Sequence, residues 1–282
     1  DAVLTRYAEA IQRYLAESGQ AMKVISKLEN DLATGRYVIV FRPETLTAVR
    51  SFRVEGNRVV SVESLTGVLK PVLAGLEFTP SGVERILRLN VTPLYEERGY
   101  LEVAYPRMSM DAAGELTIAV REGATRKLGR VEIAGDQLNV EALRAAAAFR
   151  YGELANWKLV VEATDRLLGV LRRDGYITAS AETERMFREK EPVVDVQLFV
   201  RRGPRFSFGR LLLEGLPATV EAEARTLWKL EAGAPMNPEL IVEFVRAVIK
   251  LPSMQEVGNK TIASGMQKTG DPTTVDVRVS FK

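Results

Sequence analysis

The sequence predicts an α+β chain built from tandem copies of one β-α-α-β-β module. Three observations carry that prediction. A strand ending in glycine recurs about every 80 residues, a glycine helix stop recurs at nearly the same period, and helix caps of matching chemistry fall at matching places. Self-similarity at a fixed period marks a repeat architecture.

The strands run Phe52-Arg53-Val54-Glu55-Gly56, Val131-Glu132-Ile133-Ala134-Gly135 and Leu211-Leu212-Leu213-Glu214-Gly215. The helix stops are Gly19-Gln20, Gly99-Tyr100 and Gly175-Tyr176. Glycine just past a helix tolerates the left-handed C-cap conformation. Pro43, Gly123 and Gly203 follow the closing strands at intervals of 80.

The caps are the most specific signal. Gly75, Gly152 and Gly233 each precede a cap residue by four, giving Thr79, Asn156 and Asn237. The side-chain oxygens of these types accept an orphan N–H of the first helical turn. Pro80 and Pro238 take the first helical position, where a missing N–H costs nothing. Phe78, Ala155 and Met236 precede the caps, and Val83, Val160 and Ile241 follow five residues later, the spacing of a hydrophobic staple.

In the middle module the first strand is read as 128–134 and the first helix as 140–150. The second helix is read as 157–174, with Val160, Ala163, Leu167 and Leu171 at helical spacing. Strands at 177–185 and 194–200 follow. Val194, Val196, Leu198 and Val200 alternate with Asp195 and Gln197, as in a sheet with one wet face. The hairpin turns are Asp111–Gly114, Arg188–Pro192 and Thr269–Pro272. Pro93 inside the second helix of the first complete module predicts a kink or early stop. In the last module no Gly-Tyr closes the second helix, and Gly258, Gly265 and Gly270 interrupt the expected hairpin.

The opening segment fits the same frame from its second helix onward. Leu4, Tyr7, Ile11, Tyr14 and Leu15 form one helical face, and a hairpin of 22–28 and 36–41 turns at Asn30-Asp31. This piece is expected to expose an apolar face that packs on a neighbour or is disordered. The predicted segments are 1–47 (partial), 48–124, 125–203 and 204–282. A start at Asp1 inside a helix suggests an excised piece, and an end at Lys282 suggests a cut after a closing strand.

Composition narrows the function. Cysteine and histidine are absent, which removes thiol nucleophiles, disulfides, the commonest general base and the commonest metal ligand. No catalytic residue, metal site or cofactor is expected. A net charge of +2 gives no electrostatic footprint for nucleic acid. Gly258-Asn259-Lys260-Thr261 lacks the glycines of a P-loop. The loops after Gly75, Gly152 and Gly233 lack the second glycine of a KH domain. Glu96-Glu97 and Glu182/Glu184 read as solvated carboxylates.

The repeated order, the Gly-Asn and Gly-Asp after the first strand (Gly56-Asn57, Gly135-Asp136) and the Gly-Tyr after the second helix resemble the POTRA domain. Tandem arrays of this kind resemble the periplasmic part of the BamA/TamA family of outer-membrane assembly proteins. The resemblance implies a three-stranded mixed sheet with two helices on one face. It also implies a periplasmic location, a membrane β-barrel outside this sequence, and unfolded outer-membrane protein segments as partners, with accessory envelope lipoproteins as further candidates. The alternatives are the arm of a two-partner secretion pore, although those carry two such units where this sequence predicts three and a half, and a structural arm that docks accessory lipoproteins. The receptive edge it implies is the strand after the second helix. That strand is Leu101, Glu102, Val103, Ala104 and Tyr105 in one module, and Ile177, Thr178, Ala179, Ser180 and Ala181 in the next.

Overall fold

A computed structural model describes residues 2–17, 23–31, 36–43, 48–111, 113–258 and 261–282. By internal contacts the chain divides into two compact units. One is Asp1–Val91 with Ala104–Arg121, and the other is Thr92–Val103 with Glu122–Lys282.

The first unit opens with α1 (Ala2–Glu17) and the hairpin β1 (Val24–Asp31) and β2 (Arg36–Pro43). The predicted apolar face of α1 is corrected. Ala8 is its buried residue, while Tyr7 and Tyr14 are exposed, because the inward stripe runs through Leu4, Ala8, Ile11 and Leu15. Asn30 and Asp31, where the turn is predicted, are strand residues, paired with Tyr37 and Arg36. Residues 32–35 and 44–47, the predicted stop at Gly19 and the predicted strand start at Met22 lie outside the described residues. Ile25, Leu28, Tyr37, Val38 and Ile39 of this hairpin are exposed.

The same unit contains β3 (Ser51–Glu55), α2 (Val62–Leu73), α3 (Pro80–Asn90), β4 (Ala104–Met110) and β5 (Glu115–Arg121). Ser61 caps α2, accepting from Ser64 N–H, and Leu65, Leu69 and Leu73 at i, i+4 and i+8 are fully buried. Thr79 caps α3 through Gly82 N–H at 3.1 Å, with Pro80 at the first position. The helix stops at Val91, and α4 (Thr92–Glu96) begins a separate short turn of helix with Pro93 in it.

The second unit begins with α4 and then repeats the order twice. It contains β6 (Lys127–Ala134), α5 (Val140–Ala147), α6 (Trp157–Arg173), β7 (Ser180–Phe187) and β8 (Val193–Arg201). After these come β9 (Ser207–Glu214), α7 (Ala218–Thr226), α8 (Glu239–Ile249), α9 (Pro252–Val257), β10 (Ile262–Lys268) and β11 (Thr274–Phe281). Asn156 caps α6 through Leu159 N–H at 3.2 Å. Asn237 still accepts, from Glu239 N–H at 3.0 Å, but α8 starts one residue later than predicted, with Pro238 as its cap residue. The hairpin of the last module forms despite its glycines, because Asp271 binds the N–H and hydroxyl of Thr273 and the hydroxyl of Thr274.

The three sheets of the complete repeats have one topology: β3-β5-β4, β6-β8-β7 and β9-β11-β10. The first strand runs parallel to the last, which occupies the centre, and the hairpin is antiparallel. The sheets are mixed, as the resemblance implies. The inner face of β8, Val194 to Val200, packs under α5 and α6 with Leu143, Ala163, Leu167 and Leu171. A separate core of the same plan lies under α7 and α8, with Phe208, Phe244, Val277 and Val279.

Asp195 lies on the partly exposed face of β8, opposite the buried Val194 and Val196, but it is held in place by partners. The first strand skips register between Leu128 and Val131, and Asp195 accepts the Arg130 N–H left over at 2.6 Å. It also takes the Arg188 guanidinium at 2.8 and 3.0 Å. Asp276 serves Arg210 in the same way, with its N–H at 2.8 Å and its guanidinium at 3.0 Å. The Arg188 bonds, with smaller help from Arg130 N–H, hold the Asp195 carboxyl below the usual carboxylate range. A carboxylate with a depressed folded-state pKa adds stability above its unfolded value near pH 4, and that stability is lost as pH falls further. In urea titrations, Asp195→Asn is therefore expected to be less stable at neutral pH and to lose less on going from pH 5 to pH 2.5. An equal acid slope in both proteins would refute the assignment.

Candidate functional site: the sheet edges

A three-stranded sheet has two edges, and this fold treats them oppositely. The edge formed by the first strand is covered where it begins by the loop between the helices. Leu128 N–H donates to Glu153 O at 2.9 Å, and Gly152 N–H donates to Leu128 O at 2.7 Å. Val49 exchanges the same bonds with Leu76 and Gly75, and Phe208 with Ala234 and Gly233, all at 2.8–2.9 Å. The loop carrying Gly75, Gly152 or Gly233 therefore covers the start of one sheet edge in each repeat.

The opposite edge is the strand after the second helix: β4, β7 or β10. No further strand pairs with it among the described residues. The predicted edge residues divide. Ala104, Tyr105, Ser180 and Ala181 are in β4 and β7, but Leu101, Glu102, Val103, Ile177, Thr178 and Ala179 are not strand residues. They form the turn that carries the chain from helix to sheet edge, closed in the second case by Ala179 N–H on Tyr176 O at 2.9 Å. Leu101 and Ala179 are buried in the core beneath β6 and β8, so neither faces a visitor.

The edges also differ in quality. β4 contains Pro106, which has no N–H, and its ladder slips between Ala104 and Arg107. Proline and bulges blunt an edge against further pairing. β7 has neither, and pairs residue for residue from Ser180↔Arg201 to Phe187↔Val194. Such an unbroken strand offers a straight row of backbone groups.

Beside β7 runs α6, antiparallel to it. Arg172 donates to Ala179 O at 3.5 Å at one end, and Trp157 lies under Arg185 at the other. The stripe between includes Val161, which is 48% exposed. Arg185 sits 3.7 Å from the Trp157 ring centroid and pairs with Glu96 of α4 at 2.7 Å. Its side chain is 25% exposed and that of Glu96 is 17%, so the pair is shielded and screened less than surface pairs. This cluster closes one end of the strip between α6 and β7. The sequence does not reveal it: Glu96 reads as a solvated carboxylate, and nothing in the spacing joins 96, 157 and 185.

The stretch Thr92–Val103 is also fastened to the following repeat. Arg126 N–H donates to Gly99 O at 2.9 Å, and its guanidinium grips Glu102 at 2.5 and 2.9 Å. The backbone bond recurs at Phe206 N–H and Gly175 O, at 2.8 Å. These joints are hydrogen-bonded contacts rather than loose linkers. Among the described residues no cluster of side chains could hold a metal ion, and no helix is long and apolar enough to cross a membrane.

Repeated β-α-α-β-β modules, with a parallel first strand and an open strand after the second helix, define a POTRA array. Comparison with solved structures agrees. The chain matches POTRA domains 3–5 of Haemophilus influenzae BamA at 20% identity and a TM-score of 0.57, over 83% of this chain and 96% of that one. Looser matches are POTRA domains 1–3 of Omp85 from Anabaena, at 16% identity, TM-score 0.31, and 83% and 93% coverage. Another is CdiB from Escherichia coli, at 16% identity, TM-score 0.27, and 67% and 34% coverage. No protein-family model and no curated protein sequence matches the chain.

Proposed function

We propose that this chain is a periplasmic substrate-docking arm for outer-membrane β-barrel assembly, and that it binds extended segments by strand addition at β7. The reading takes 48–124, 125–203 and 204–282 as complete modules and 1–47 as part of another. The POTRA fold supports it, and the observation that carries it is the unbroken eight-residue edge of β7 beside the α6 stripe. Main-chain pairing is largely indifferent to side chains, which suits a receptor for many unfolded barrel precursors. Its natural anchor is a membrane barrel outside this sequence, and accessory lipoproteins are a second class of strand donor.

Hydrogen exchange tests the reading, with and without a ten-residue amphipathic strand from an outer-membrane barrel. Amides of β7 are expected to slow at least tenfold and those of β4 to stay unchanged. Saturable binding with β7 unprotected would overturn it.

A further inference from the structure

A cleft of about 570 Å³ opens at the start of β6, beside the turn that joins β7 to β8. Lys127, Arg130, Arg144 and Arg188 line it, with no carboxylate among the lining residues. Its accessible apolar wall comes from Tyr151 and Val193, above a floor formed by the buried Leu128 and Val131. Arg188 is committed to Asp195 and Glu191, and Arg130 lies 3.3 Å from Glu132. Lys127 and Arg144 are exposed and make no ion pair among the described residues. The volume is in the range of small-ligand sites.

The last repeat shows that the fold does not require these residues. Gly129 and Arg130 recur there as Gly209 and Arg210, holding Asp276 as their counterparts hold Asp195. Leu128, Val131 and Gly152 keep their character as Phe208, Leu211 and Gly233, but the remaining positions do not recur. Ser207 stands for Lys127, and Glu221, next to buried Val220, stands for Arg144, next to buried Leu143. Ala232, Thr269 and Thr274 stand for Tyr151, Arg188 and Val193. One backbone plan thus carries four basic groups around an apolar floor in one copy, and in the other keeps the floor with Arg210 as the counterpart of one of the four.

We propose that this cleft binds a small amphiphilic anion. A phosphate-type head sits against Lys127 and Arg144, and a short apolar chain lies along Tyr151 and Val193. Guanidinium and ammonium groups supply charge-assisted donors to phosphate oxygens, and the apolar wall gains by excluding water from the chain. The proposal does not depend on the role of β7.

The test uses hexyl phosphate with the whole chain, followed by amide shifts at 127–131 and 151–152. Saturable shifts are expected there, with inorganic phosphate at least tenfold weaker and 1-hexanol producing none. The double variant Lys127→Gln/Arg144→Gln should keep its melting temperature and bind at least tenfold more weakly. Arg210→Gln in the last repeat should bind like the parent. Absence of saturable shifts, equal affinity for inorganic phosphate, or an unaffected double variant would each overturn the proposal.

Discussion

Gly215→Ala is expected to cost several times more stability than Gly233→Ala, although both glycines have the same left-handed backbone. Their φ values are 84° and 85°. An added Cβ at Gly233 meets nothing within 4 Å, so it costs only the left-handed strain, about 1–2 kcal/mol. At Gly215 the Cβ would lie 2.0 Å from the carbonyl oxygen of Phe281. That oxygen belongs to the central strand β11, which β9 leaves at this point, so relief requires moving the ladder itself. The expected loss is about 3–5 kcal/mol, in the range reserved for disrupted cores and strained backbone. Chemical denaturation of both variants checks it, and similar midpoints would refute the contact. The close approach recurs at Gly56 against Val120 and at Gly135 against Val200, each at 2.3 Å.

The recurring glycine was therefore legible before its reason was. Period, caps and module order could be read because they rest on local chemistry: Thr79 and Asn156 bond the third residue ahead whatever surrounds them. Strand starts after the second helix were read three residues early for a physical reason. Leu101 and Val103, like Ile177 and Ala179, alternate as strand residues do, yet the core claims Leu101 and Ala179 inside a turn. Alternation reports burial, and a tight turn against a core produces it too. Asp195 and Asp276 could have been found, since Val-Asp-Val recurs at 194–196 and 275–277, with Gly-Arg at 129–130 and 209–210. The Glu96, Arg185 and Trp157 cluster could not, because no sequence period links three residues brought together only by the fold.

Leu198→Ala is expected to disable the middle repeat and leave its neighbour standing. Leu198 is fully buried at the centre of β8, paired with Ile133 on β6 and Thr183 on β7. Truncating a buried leucine costs about 2–5 kcal/mol, set by how far the cavity can collapse. A central strand flanked on both sides has little freedom to close it. The sheet β9-β11-β10 has its own core, in which Leu198 has no part. In a repeat chain, stability is approximately a sum of each unit's own term and its interface terms. The amides of β6, β7 and β8 should then exchange roughly 30- to 4000-fold faster, the span that this energy implies at tenfold per 1.4 kcal/mol. Those of β9 and β11 should change less than tenfold, because what they share with the middle repeat includes the bond from Phe206 N–H to Gly175 O. The strand capture proposed for β7 should fall in parallel, since an edge recruits a visitor only while its inner side is paired. Equal acceleration in both sheets would mean that the two cores open as one cooperative body, and that the joint, rather than the module, sets the unit of stability.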